Sequence, residues 1–258
     1  MTTVYDIEKK LFDWAPRDLA MDWDNVGHLV GRPEKEAHSV LIALDITPEV
    51  VSEAVERGAD LIVAHHPLIN CKWHALQQVR EDDRQGWIIA QLLRHDISAI
   101  CMHTNLDAAV GGVNDALAEK LGLQDIQVLT EEKIGRFGVL NGQLPLVDFV
   151  HSVIKLLGCN GARYKDCGKP VHRVAVGGGA CGDYISRAIE LGCDTFVTSD
   201  LRYHDFLDTR ELNLIDAGHF PTENVVCPVV MDFLKTEFPA LTVTLSAAHG
   251  SEVVQYCM

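Results

Sequence analysis

Three segments of the chain each place histidine and a second side chain of a ligating type directly after a short apolar run. They are His65-His66 after Leu61 to Ala64, His103 with Asp107 after Ile97 to Met102, and His219 with Glu223 after Leu212 to Ala217. A short apolar run that ends at turn residues predicts a buried strand. Adjacent histidines at the end of such a strand indicate a bound metal, because neutral imidazole is the commonest protein ligand for transition metals.

The residues predicted to bind metal are three imidazoles and two carboxylates: His65, His66, Asp107, His219 and Glu223. Five such ligands would overfill one tetrahedral zinc ion, whereas two ions about 3.5–4 Å apart with a bridging carboxylate would use them all. Mixed nitrogen and oxygen donors fit zinc, iron, manganese or nickel, so we predict two divalent ions of unassigned identity. The alternative is three unrelated polar loop ends, but three equivalent strand ends favour the metal site.

The elements that must position these side chains alternate between strand and helix. Strands are predicted at about 40–44, 61–64, 97–102 and 134–140, and helices at about 4–13, 48–57, 83–94, 112–120 and 146–157. This alternation predicts an α/β architecture with largely parallel strands, and ligands collect beyond the carboxyl ends of such strands.

The second half of the chain repeats the first. The segments 40–58 and 174–192 have equal length, and Ala54, Glu56, Gly58 and Asp60 recur without a gap as Ala188, Glu190, Gly192 and Asp194. Two interpretations are open: a duplication, or the general likeness of strand–helix–strand units. Duplication predicts two similar α/β halves, residues 1–125 and 126–258, facing each other with the metal site between them at the carboxyl ends of the strands. The chain ends could then pack across the two halves.

A glycine-rich loop and one acid carry weaker signals. Residues 177–182 contain a Gly-x-Gly-x-x-Gly pattern, in which Gly177, Gly179 and Gly182 form either a phosphate cradle or a plain tight turn. Asp45 follows the first strand of the repeat and either holds a ligand imidazole or is a simple loop acid.

Two further histidines are candidate proton-transfer residues, His103 and His204. His103 could instead orient Asp107 or fill the core, and His204 could be an exposed histidine at a helix end. The remaining histidines show no acidic partner pattern and are predicted to be ordinary: His28, His38, His74, His95, His151, His172 and His249.

The composition excludes several classes of protein. With 22 basic against 37 acidic residues, the formal net charge of −15 disfavours nonspecific binding to nucleic acid or to an anionic membrane. No apolar run reaches the roughly 18 residues of a membrane span, and the amino-terminal residues lack a signal-peptide pattern. The eight cysteines form no Cys-x-x-Cys pair. Together these features predict a cytoplasmic protein with reduced thiols.

Four motifs in order resemble one family over nearly the whole chain. They are Trp23-Asp24-Asn25-Val26-Gly27, Ala64-His65-His66-Pro67-Leu68, His103-Thr104-Asn105-Leu106-Asp107-Ala108 and Gly218-His219-Phe220-Pro221-Thr222-Glu223. In these motifs the chain is similar to the NGG-one-interacting-factor-three-like family, whose members are commonly named GTP cyclohydrolase I type 2 homologues. The resemblance implies a two-domain α/β fold, a dinuclear metal centre held by the same five residues, and a ring-shaped homohexamer. It also implies the short form without the inserted domain of longer members, while Ser199-Asp200 departs from the glycine that often precedes this acid.

Three functions remain open. The first is a metal-dependent hydrolase that opens the guanine ring of GTP through activated water and releases formate. The second is a hydrolase of another phosphorylated or small-molecule substrate. The third is a non-enzymatic metal-binding or interaction hexamer. A nucleotide-turnover assay on metal-loaded protein separates the first from the others.

Overall fold

The computed structural model describes residues 1–72 and 75–257, so His74 lies outside the described residues. Its strands are β1 Gly27–Val30, β2 Ser39–Ala43, β3 Leu61–Ala64, β4 Ser98–Cys101, β5 Gln124–Val128, β6 Arg136–Leu144, β7 Arg163–Lys165, β8 Val171–Val176, β9 Thr195–Thr198, β10 Asn213–Asp216 and β11 Thr242–Leu245. Its α-helices are α1 Val4–Trp14, α2 Pro48–Arg57, α3 Arg84–Arg94, α4 Thr104–Ala108, α5 Val113–Lys120, α6 Leu146–Leu157, α7 Ile185–Glu190, α8 Tyr203–Asp208, α9 His219–Glu223 and α10 Val226–Glu237. Within the described part of the chain, every helix is too short or too polar to cross a membrane.

The chain divides into two compact units that are not contiguous in sequence. Unit 1 is Met1–Val110 with Cys227–Gly250, and unit 2 is Gly111–Val226 with Ser251–Met258. This division differs from the predicted halves 1–125 and 126–258. The physical reason is strand pairing: β5 pairs with β6 in unit 2, and β11 pairs with β2 in unit 1.

Unit 1 is built on a five-stranded sheet in the order β1-β4-β3-β2-β11. Its strands run parallel except β1, which is antiparallel to β4. The helices α2 and α3 cover this sheet, and their side chains Val50, Ile88 and Leu92 are buried in one apolar cluster with Ile62 of β3. Because β3 is buried along its whole length, the residues that follow it emerge at a fixed place at the end of the sheet.

Local sequence determines where α2 begins and ends. The Thr47 hydroxyl accepts a hydrogen bond from the Val50 N–H at 3.2 Å, and Pro48 occupies the first turn, where its missing N–H has no helical partner to lose. Gly58 ends the helix in the left-handed conformation with a φ of 62°. The predicted helix over residues 48–57 is therefore confirmed.

Unit 2 is built on a six-stranded sheet in the order β5-β6-β8-β9-β10-β7. The central strands β8, β9 and β10 are parallel, whereas β7 is antiparallel to β10. The helix α6 packs Phe149 and Val153 into an apolar cluster with Val174 and Val197 of the sheet.

The same strand register occurs within each of the two units. Val40 pairs with Leu61 and Val174 pairs with Thr195, which is the same separation along the chain. In each sheet three consecutive parallel strands, β2-β3-β4 and β8-β9-β10, are followed by an antiparallel strand, β1 beside β4 and β7 beside β10. The prediction of an α/β fold with two similar halves is therefore confirmed.

Candidate metal centre

His65 and His66 leave the end of β3 with their backbone fixed. Both backbone N–H groups donate to the carbonyl oxygen of Leu44, at 3.1 and 3.0 Å, just after β2. Since β2 and β3 are parallel neighbours in the buried sheet, these bonds hold the two histidines at the carboxyl edge of unit 1.

The buried His65 ring is oriented by a backbone carbonyl. Its Nδ1 lies 2.8 Å from the carbonyl oxygen of Met102. A carbonyl oxygen only accepts, so Nδ1 carries the hydrogen and Nε2 of the neutral ring keeps its lone pair. This Nε2 lies 3.7 Å from Oδ1 of Asp107 in α4.

The His66 ring is oriented by a carboxylate. Its Nδ1 donates to Oδ1 of Asp45 at 2.7 Å, and Oδ2 of Asp45 accepts from Nε2 of His249 at 2.8 Å. Burial alone would raise the pKa of Asp45, but the hydrogen bonds from His249 and His66 outweigh it and hold the pKa well below its usual range. Of the two interpretations of Asp45, the structure supports the one in which it holds an imidazole.

His103 lies at the start of α4, and its ring bonds to Asp24. Nδ1 of His103 donates to Oδ1 of Asp24 at 2.9 Å, while Oδ2 accepts from the backbone N–H and hydroxyl of Thr104. Burial raises the pKa of Asp24, yet these hydrogen bonds, from His103 first, lower it to about 2. Asp24 therefore holds the ring of His103 through Nδ1.

Three imidazoles thus converge in unit 1. The rings of His65, His66 and His103 lie with centroids 5.0, 5.1 and 5.6 Å apart, and one ring nitrogen of each lies within 4.8 Å of the others. In each ring Nδ1 is held by an oxygen acceptor. This is the arrangement by which proteins present Nε2 to a metal ion.

In unit 2 the helix α9 presents one imidazole and one carboxylate. His219 and Glu223 are four residues apart, which places them on one face of the helix, and Nε2 of His219 lies 3.0 Å from Oε2 of Glu223. Nδ1 of His219 lies 2.5 Å from Oδ2 of Asp200, which follows β9. Burial lowers the pKa of His219, but hydrogen bonds to Asp200 and Glu223 outweigh it and raise the pKa to about 11. Asp200 and Glu223 thus stabilise the protonated ring, and a metal ion bound at Nε2 would displace that proton.

The first three N–H groups of the glycine loop 177–182 donate within the protein, which favours the tight turn over the phosphate cradle. The N–H groups of Gly178 and Gly179 donate to the side chains of Asn114 and Thr222, and that of Gly177 donates to the Val197 carbonyl. Gly182 opens a short 3-10 turn that leads to α7. A phosphate cradle needs N–H groups that point at the ligand, and these donate within the protein.

The same loop has a steric role. A Cβ atom added to Gly179 would lie 2.1 Å from Oε1 of Glu223 and 3.1 Å from Nε2 of His219, and Gly179 has a φ of +65°. Glycine is needed here because only a residue without Cβ allows both ligand-type side chains to approach the backbone.

The remaining candidate, His204, is exposed in the first turn of α8 and contacts the ring of Tyr203. Among the described residues, its imidazole belongs to none of the groups of ligand-type side chains that could hold a metal ion. His249, by contrast, is not ordinary, because it binds Asp45 across 204 positions of the chain. Asp24 lies in the Trp23-Asp24-Asn25 motif, which indicated a functional position but not its contact with His103. No pattern near His249 indicated its contact with Asp45.

Comparisons with known proteins agree along the whole chain. Residues 2–251 match the family model described as Duf34/NIF3 (NGG1p interacting factor 3). A Clostridium perfringens protein named GTP cyclohydrolase 1 type 2 homolog is 36% identical over 227 residues, which cover 84% of this chain and 86% of that protein. A protein of the same name from Clostridium acetobutylicum is 34% identical over 232 residues, covering 85% of each chain. The crystal structure of a Bacillus cereus protein related to NIF3 has a TM-score of 0.90 at 26% identity and covers 99% of both chains.

Proposed function

The chain belongs to the Duf34/NIF3 family, and from this membership we propose that it binds two divalent metal ions and uses them for hydrolysis. The ligands we assign are His65, His66 and Asp107 from unit 1, and His219 and Glu223 from unit 2. We propose that these five residues form one dinuclear centre.

The observation that carries this proposal is that an oxygen acceptor holds Nδ1 of each histidine ring. Nδ1 of His65, His66, His103 and His219 each meets an oxygen acceptor, from Met102, Asp45, Asp24 and Asp200 respectively. Metal-ligating histidines almost always donate their second ring N–H in this way, which fixes the tautomer and the direction of Nε2. Three of these rings, at the ends of β3 and β10, belong to the assigned ligands and support a metal centre rather than isolated polar loop ends. The same restraint on His103 leaves the lone pair of its Nε2 for proton transfer.

Bound divalent ions would supply Lewis acidity, activating water and neutralising an anionic substrate. The chain's own side chains have separate tasks. Asp107 and Glu223 provide the negative charge that lets two cations lie close together. We assign His103 to proton transfer at Nε2, since Asp24 fixes its Nδ1–H.

GTP is the candidate substrate, with ring opening and formate release as the reaction. The support is the name carried by relatives 36% and 34% identical to this chain. The occupied N–H groups of the glycine loop favour a second candidate, a metal-binding protein without nucleotide turnover, because a triphosphate then finds few backbone donors there. Hydrolysis of another phosphorylated small molecule is the third possibility.

We also propose that the protein is a cytoplasmic homohexamer, an assembly inferred from the family resemblance. Light scattering coupled to size exclusion should give about six times the 28.5 kDa chain mass. A monodisperse monomer at micromolar concentration contradicts the hexamer and leaves the metal centre untouched.

The deciding experiment measures metal content and product together. Wild-type protein, His65→Ala and His38→Ala are loaded with zinc, iron, manganese or nickel in turn, and formate and phosphate release from GTP are both followed. The control residue His38 is an exposed histidine of the same unit, paired with Glu36. Formate release that requires His65 but not His38 supports the cyclohydrolase. Phosphate without formate indicates the other hydrolase, and two bound ions without turnover of GTP or phosphate esters indicate metal binding as the function itself.

A further inference from the structure

The carboxylate of Asp45 is shared by two imidazoles that are far apart in the chain. Oδ1 accepts from Nδ1 of His66 at 2.7 Å, and Oδ2 accepts from Nε2 of His249 at 2.8 Å. Within the described part of the chain, these are the only hydrogen bonds that Asp45 accepts. Each oxygen of the carboxylate therefore has one imidazole donor.

The segment that carries His249 is itself anchored. Glu53 of α2 is 9% exposed, and its carboxylate accepts the Ser246 hydroxyl at 2.5 Å and the N–H groups of Ala247 and Ala248 at 3.0 Å each. These bonds fix the turn that follows β11. His249 is 12% exposed in its side chain, so it reaches Asp45 from a defined and largely buried position.

The acceptors for the other two histidines of the unit 1 cluster, His65 and His103, have independent support. The acceptor for His65 is the Met102 carbonyl, whose own N–H bonds to Ala64, so the backbone holds it. The acceptor for His103 is Asp24, which Thr104 fixes with its backbone N–H and its hydroxyl. Among the residues that the structure describes, no backbone N–H donates to Asp45, and its side chain is 40% exposed.

From this geometry we infer that His249 is a positioning residue for the metal centre. By binding Oδ2 it prevents rotation of the Asp45 carboxylate, which in turn holds His66 with hydrogen on Nδ1 and its lone pair on Nε2. The inference rests on the proposed function in one respect, namely that His66 is a metal ligand. Removal of groups that orient metal ligands typically lowers metal affinity about 10–100-fold.

The test uses His249→Ala, His249→Gln and the control His38→Ala. The tautomer of His66 is read in metal-free protein from ring 15N chemical shifts, and Zn²⁺ affinity is measured by competition with a chromophoric chelator. His249→Ala should populate the second tautomer of His66 and weaken Zn²⁺ binding about tenfold. His249→Gln should restore both readouts, because its side-chain amide can donate from nearly the same place as Nε2. The control should match wild type in both.

The outcomes separate the inference from the proposed function. An unchanged His66 tautomer together with unchanged Zn²⁺ affinity in His249→Ala overturns the inference. So does an equal loss in the alanine and glutamine variants, which would mean that the histidine only fills space. Thermal unfolding of each variant shows whether the turn is still folded. If wild-type protein binds no Zn²⁺, the proposed function fails, while the metal-free tautomer measurement still decides whether His249 orients His66.

Discussion

After β3 in unit 1 the chain continues with His65 and His66, whereas after β9 in unit 2 it continues with Ser199 and Asp200. The next parallel strands lead into α4 and α9, which are five residues each, and Gly218 stands before α9 where His103 stands before α4. Both units carry these residues at the ends of parallel strands, but unit 1 collects three imidazoles with Asp107, and unit 2 collects one imidazole with the carboxylates of Asp200 and Glu223. Ligand chemistry can therefore diverge at strand ends while the sheet that carries it is retained.

A second pair of equivalent positions carries the same residue type in both units. Asp60 accepts the backbone N–H groups of His38 and Ser39, and Asp194 accepts those of His172 and Arg173. Each acid thus ties the start of one parallel strand to the start of the next. The comparison indicates that acids at the amino edges of the two sheets hold the strands together, whereas the carboxyl edges carry the candidate metal ligands.

Loss of an assigned metal ligand should have the largest effect on metal affinity. It also tests whether residues of both units bind the metal. His65→Ala in unit 1 should lower divalent-metal affinity by more than about 100-fold, because even loss of an orienting group costs about 10–100-fold. Asp107→Ala or Glu223→Ala should remove more than one of two equivalents, since each carboxylate is assigned as a possible bridge. Elemental analysis after gel filtration gives the stoichiometry. Full retention of metal by Glu223→Ala would assign the site to unit 1 alone.

Gly179→Ala in the glycine loop should lower stability more than the same substitution at a glycine that only ends a helix. The new Cβ would lie 2.1 Å from Oε1 of Glu223, so overpacking of about 1–3 kcal/mol adds to about 1 kcal/mol for the left-handed backbone. The matched control Gly192→Ala has a φ of +72° but no atom within 4 Å of its Cβ, so only the backbone cost applies. Urea unfolding compares the two. Equal losses of stability would contradict the steric role of Gly179.

The two equivalent acids, Asp60 and Asp194, should behave alike. Asp60→Ala and Asp194→Ala each leave two backbone N–H groups without their acceptor, which should lower the free energy of unfolding by about 1–3 kcal/mol in each unit. Burial raises the pKa of Asp60, but hydrogen bonds from the His38 N–H and from Lys35 outweigh it and lower the pKa. The stability that Asp60 provides is therefore present above its ordinary pKa and is lost as pH falls through its lowered native value. Urea unfolding at pH 7 and pH 3 should show the Asp60→Ala deficit shrinking in acid, and a deficit in one unit alone would break the comparison.

Proton release should be the smallest effect and should belong to unit 2. Because the pKa of His219 is raised to about 11, its ring is protonated at pH 8, and a cation at Nε2 must displace that proton. Affinity should rise up to about tenfold per pH unit in this range, with about one proton released. Calorimetry in two buffers of different ionisation enthalpy counts the proton. His219→Ala should lose this release, and an unchanged proton count in that variant would refute the assignment.

The parts of the fold that depend on residues close together in the sequence could be predicted from it. The capping by Thr47, Pro48 and Gly58 specifies α2 locally, and the alternation of apolar runs specifies the parallel strands. The strand-end pattern also predicted histidines and acids that the structure brings into groups able to hold a metal ion. The contact between Asp45 and His249 could not be predicted, because it depends on β11 pairing with β2 across most of the chain.

The glycine loop was ambiguous for a similar reason. The pattern of residues 177–182 fits a phosphate cradle and a tight turn equally well, and the difference lies in what accepts the N–H groups. Those acceptors, Asn114 and Thr222, come from α5 and α9, which no local spacing relates to the loop. A motif defined by backbone donors is therefore decided by distant side chains.

The discontinuous course of unit 1 has a consequence for synthesis on the ribosome. All six strands of the second sheet lie between residues 124 and 216, so unit 2 can close its sheet as soon as that stretch has emerged. The first sheet must wait for β11, and Glu53 must wait for Ser246, although α2 is made far earlier. Domains usually fold in the order in which they are translated. Here the part translated first is completed last, so a chain truncated before residue 240 and released from the ribosome should be protease-resistant in residues 111–226 and still sensitive in residues 1–110.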